Sequence, residues 1–164
     1  MRDANEMILC EASEKGKVVV NNCLNRGYHI NTLKLEKLLI IIHGLMLVHH
    51  NKPFFKNSII PTKNGLRIPE VDNDFIINAI SFDKKLDEQI AFLEREREIT
   101  EYVIKKYGKM NTFELDAEFG LKQLNNKLLN EQHLCKAIVD GYMVYEFGKR
   151  FDVDFHLATG GRHL

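Results

Sequence analysis

Lys63 and Arg67 flank an Asn64-Gly65 turn, between a strand-like run and a segment whose Pro69 suits the first turn of a helix. Two cations beside a helix N-terminus could bind an anion or a carboxylate-rich protein surface. The same residues would also serve a plain connector with two solvated charges. Asp152, Asp154 and His156 alternate along a second candidate segment. On a strand they would share one face, where paired carboxylates could hold Mg²⁺ or act as acid and base. Charges alternating with Phe151, Val153 and Phe155 also protect an exposed edge strand from aggregation. His43, His49 and His50 fall on one helix or its end. A metal site needs three or four converging ligands, and these histidines read as core or surface residues. Asp72-Asn73-Asp74 opens like a calcium loop but lacks the downstream Gly and Glu spacing, so it reads as a first-turn acidic cluster. The chain has no Walker sequence, no GxSxG and no HExxH. The motifs therefore ask for no cofactor, no metal and no catalytic residue.

The elements that must position these groups are mostly helical. Ala4 to Lys15 is helix-compatible, Gly16 punctuates it, and Lys17 to Asn25 reads as a second helix stopped by Gly27. Asn31 or Thr32 can cap the next helix. Leu35, Leu38, Leu39, Ile42, Leu45 and Met46 share one face of it, and Ile40, Ile41, Leu47 and Val48 cover much of the rest. A helix apolar nearly all round is a buried one, so this is the expected central rod. Gly44 costs helix stability, and close approach of another helix would compensate. Pro53 stops the rod, and Lys56 to Thr62 reads as a short strand. Two helices are expected over Glu70 to Ile80 and Lys84 to Tyr107, the second with a narrow apolar stripe and alternating charges from Glu94 to Glu98. A short helix follows a cap at Asn111 or Thr112 and ends at Gly120. Leu121, Leu124, Leu128, Cys135 and Ile138 suggest a last helix reaching Asp140-Gly141. Met143, Tyr145 and Phe147 then alternate, as do Phe151, Val153 and Phe155, which is the signal of a C-terminal β-hairpin.

The 164 residues fit one domain. Hydrophobic residues make up 45% and charged residues 28%, as in an ordinary globular protein. Lys plus Arg and Asp plus Glu each number 23, so the formal charge is zero. That argues against bulk DNA as a partner and leaves self-association into a homo-oligomer open. The start shows no leader-like apolar region, and the most apolar run is too short to span a bilayer. Three cysteines without CxxC spacing read as free, mostly buried thiols in a reducing cytoplasm.

From Gly27 to Val71 the order of motifs resembles the core of the Panacea antitoxin domain family, which includes SocA-like and many phage-associated proteins. Thr32, Leu33, Lys34, Leu35, Lys37, Leu38 and Leu39 match its capped helix opening. Gly44, Lys52, Pro53 and Phe55 match the exit of that helix, and Gly65, Pro69, Glu70 and Val71 match a third motif. Leu66, Arg67 and Ile40 depart from the pattern, and the chain has no Trp. The resemblance covers roughly residues 17–128, leaving 1–15 and 129–164 as additions to a single helical domain. It implies a mainly α fold and a non-enzymatic module that neutralises a toxin or host effector. The mechanism would be direct occlusion or delivery to a protease. Partner contacts are expected from Lys63, Arg67, Glu94, Arg95 and Arg97, with aromatic anchors at Tyr142, Tyr145 or Phe147. Two other readings stand beside it. One is a DNA-binding regulator of its own operon using Lys105, Lys106 and Lys109, and the other is a small hydrolase or nucleotide-modifying enzyme using Asp152 and Asp154.

Overall fold

A computed structural model describes residues 9–72 and 93–158, the last nine as backbone. The fold is mainly α, with one two-stranded antiparallel sheet. In chain order the elements are α1 (Ala12–Asn25), α2 (Thr32–His50), β1 (Ile60–Thr62), β2 (Gly65–Arg67), α3 (Glu94–Tyr107), α4 (Thr112–Phe119), α5 (Leu121–Leu129) and α6 (Lys136–Ala158). A further helical turn begins at residues 69–72, opened by Pro69. The expected helices over Glu70 to Ile80 and Lys84 to Tyr107 otherwise fall largely outside the described residues, except for α3.

The rod α2 sits at the centre, as its composition demands. Every residue from Lys34 to Leu47 except Lys37 is buried. It packs against α1, α3, α4, α6 and β2. Its first turn is capped by Asn31, whose side-chain oxygen accepts the Lys34 amide at 2.9 Å. Its last turn closes on Asn51, which adopts a left-handed φ of 52° two residues before Pro53. Gly44 faces α6 so closely that a Cβ there would stand 2.2 Å from the Phe147 ring. Phe147 is fully buried and also meets Phe119, with 6.1 Å between ring centroids. The ring therefore has little room to retreat. Gly44→Ala should lower stability by about 1–2 kcal/mol, the overpacking outweighing the gain in helix propensity. Adding Phe147→Leu to Gly44→Ala should recover part of the loss in urea unfolding.

Several sequence expectations need correction. α1 is one helix through Gly16, not two: a Cβ on Gly16 would lie 3.4 Å from Leu35, so this glycine serves the α1–α2 packing. Gly27 does end α1, at φ 74°, with its amide bonded to the Leu24 carbonyl and that of Tyr28 to Cys23. The segment from Leu121 onward forms two helices, α5 and α6, separated at 130–135. The C-terminal hairpin does not form. Residues 136–158 are helical instead. Val139, Met143 and Phe147 recur at four-residue steps and are all buried, while Tyr145 between them is 63% exposed. The apparent alternation shared Met143 and Phe147 with this helical stripe. On a helix, positions two apart lie about 200° around the axis. The strand on which Asp152 and Asp154 were expected to share a face is replaced by helical backbone. The thiols also differ from expectation, since Cys23 is buried, Cys10 half-buried and Cys135 exposed. Burial pushes the Cys23 thiol up to about 11.

Candidate functional site

Gly120 takes a left-handed φ of 61°, which ends α4 and opens α5 without an intervening loop. The two helices pack on each other, and α5 also packs on β1 and β2. Two polar links hold the arrangement. Asn125 lies on the buried arc of α5 and grips the edge strand β1 as another strand would. Its Oδ1 accepts the Thr62 amide at 3.2 Å, and its Nδ2 donates to the Thr62 carbonyl at 2.7 Å. Lys37 of α2 donates to Asp116 of α4 at 2.7 Å. The turn is further set by Thr62, whose hydroxyl donates to the Gly65 carbonyl at 2.7 Å and accepts the Asn64 amide at 3.1 Å.

Between these parts lies a groove of about 440 Å³. Leu66 and Leu121, both buried, contribute apolar lining, with Lys63, Lys122, Gln123 and Asn126 among the polar groups. Phe113 also lines it, and its side chain is 84% exposed. A buried hydrophobic floor, a fixed turn, two cations and an open aromatic ring suit the docking of another molecule's side chains.

No protein-family model, curated protein or solved structure matches the chain. The site is therefore argued from its own residues.

Of the sequence-predicted contact residues, only Lys63 lines the groove. Arg67 turns inward. Its Nε and one terminal nitrogen donate to the two oxygens of buried Glu36, each at 3.0 Å, and the latter nitrogen also reaches Asp72 at 3.0 Å. The hydrogen bonds to Glu36 raise the guanidinium pKa further. Glu94 and Arg97 are exposed on α3, and Arg95 is half-buried there. Tyr142 donates its phenol proton to Glu131, which raises its pKa. Tyr145 is exposed on α6, with the Lys149 ammonium 4.2 Å from its ring centroid. Phe147 is core, packed on Gly44, and is no surface anchor. Lys105, Lys106 and Lys109 are exposed, with Lys106 lying over the Tyr102 and Tyr107 rings.

His43 is also structural. Its Nδ1 accepts the Phe54 amide at 3.1 Å, so its Nε2 carries the proton and donates to Asp140 at 3.2 Å. Burial pushes the imidazole pKa down, against the opposing pull of Asp140. No helix among the described residues is long and apolar enough to cross a membrane.

Phe113, Lys122 and Asn125 were not singled out by sequence. The signal for Phe113 is its place on α4: Leu115 and Phe119 form the inward stripe, and Phe113 stands two residues off it.

Proposed function

We propose that the chain is a non-enzymatic protein-binding module that captures a partner at the groove between the β1–β2 turn and α4–α5. The observation carrying this reading is Phe113, almost wholly exposed beside a rigidly built, partly apolar depression. Single exposed apolar residues are ordinary, but an aromatic ring at the mouth of a groove is where binding energy concentrates. Covering such a ring is worth about 1.5–3 kcal/mol. The resemblance to Panacea-type antitoxins supports taking the partner to be a toxin or host effector. Neutralisation would then follow from occlusion, or from delivery of the partner to a protease.

The test compares immobilised wild-type and Phe113→Asp protein as baits in native lysate. A partner held by the wild type should fall at least tenfold in recovery on the variant. The variant's melting temperature should stay within a degree or two of wild type, since Phe113 makes no core contact. Equal recovery on both baits would remove the groove from the binding surface.

A further inference from the structure

We infer that the segment of the partner seated in this groove is acidic, with an apolar side chain placed against Phe113. The inference rests on the proposed function and adds the chemistry of the occupant. Three lysines line the groove against a single carboxylate, that of Asp116. Asp116 is already committed to Lys37 at 2.7 Å. Lys63 and Lys122 are exposed and make no hydrogen bond or ion pair with any described residue. Two cations unpaired among the described residues thus line the groove of a chain whose formal net charge is zero.

The other lining groups fit a polypeptide. Asn64, Gln123 and Asn126 present side-chain amides that can both donate to and accept from a peptide backbone. Leu66, Leu121 and Phe113 provide an apolar patch for one side chain. A nucleic acid would need a longer basic stripe to neutralise successive phosphates. An acidic peptide needs only a pair of carboxylates at the spacing of Lys63 and Lys122. These cations would steer encounter and discriminate against basic sequences more than they would add raw affinity.

The test pans a displayed library of random dodecapeptides on the full chain. The enriched peptides are then synthesised with a fluorophore and titrated by anisotropy, beside a fluorescent single-stranded thymidine oligonucleotide. The expected winners pair Asp or Glu with an aromatic or branched aliphatic residue. They should bind at least tenfold more weakly to Lys63→Glu/Lys122→Glu and also lose affinity with Phe113→Ala. Both lysines are exposed, so the double variant should melt with the wild type. Neutral or basic winners, no enrichment, or acidic winners indifferent to the double substitution would overturn the inference. Oligonucleotide binding that matches the peptides and depends on the same lysines would also overturn it. With lysate partners, sensitivity to Phe113→Asp but not to Lys63→Glu/Lys122→Glu sinks only the acidic occupant. Indifference to Phe113→Asp sinks the groove itself.

Discussion

Lys15→Met should lower folding stability by about 3 kcal/mol, within the range for breaking a buried ion pair by removing one partner. The Lys15 ammonium lies 3.1 Å from Glu96 Oε1, with side chains only 2% and 6% exposed. It joins α1 to α3 across 81 residues of sequence and also stands 4.9 Å from the Phe54 ring centroid. Glu96 Oε1 accepts the Leu93 amide at 2.8 Å as well, so the carboxylate closes the first turn of α3. Methionine would fill much of the space of the lysine stem but leave that carboxylate buried against the Leu93 amide without its cation. The cost arises from the uncompensated charge, not from the lost contact area. Lys15→Met/Glu96→Met should therefore regain most of the stability, ending within about 1 kcal/mol of wild type, because the Leu93 amide it releases is only half-buried at the helix start and can turn to water. Urea unfolding of the four proteins gives the coupling directly. A melting point lowered by roughly 10 °C in the single variant is the corresponding thermal result for a chain of this size. A Lys15→Met variant as stable as wild type would mean that water reaches Glu96 and the pair is superficial.

How much of this was readable beforehand depends on whether a residue's role is fixed by its neighbours in sequence. The rod was readable because Leu38 to Leu47 is apolar nearly all round, and only a central helix can bury it. The close approach at Gly44 was readable for the same reason, though its partner Phe147 was not. The C-terminal helix was misread because Met143 and Phe147 satisfy both a two-residue and a four-residue period. Val139, one more step back on the longer period, decides between them. Asn125 was readable in principle. It falls with Leu121, Leu124 and Leu128 on one helical arc, and a polar side chain on a buried arc must find hydrogen bonds. Its partner, the backbone of Thr62, could not be named from sequence, because that pairing spans 63 residues. The same holds for Glu36. Flanked by Lys34 and Lys37, it looks like part of a solvated face, and only the fold places it beneath Arg67.

That hidden carboxylate makes Arg67 the second position where a large effect is expected. Glu36 is 1% exposed and receives three donors, two from Arg67 and the Ile68 amide at 2.6 Å. Arg67→Leu should destabilise the chain by about 3 kcal/mol, because a buried carboxylate is left with one backbone amide. Arg67→Lys should fall between, since an ammonium keeps the charge but cannot reproduce the two-pronged contact. Here the double substitution should behave differently from the one at Lys15 and Glu96. Arg67→Leu/Glu36→Leu removes both charges but strands the Ile68 amide in the interior, leaving about 1–3 kcal/mol unrecovered. Urea unfolding of wild type and the three variants measures these losses. The result also separates the two cations of one hairpin. Arg67 lies on β2 and anchors it to α2, whereas Lys63 occupies the turn and faces the groove. Lys63→Glu should leave unfolding unchanged and alter binding. Arg67→Leu should alter binding only to the extent that the loosened hairpin no longer holds the turn against Asn125. If Arg67→Leu abolishes capture at a temperature where the protein remains fully folded and the Asn125 clamp intact, Arg67 would itself touch the partner, and its bond to Glu36 would have to open for it to do so.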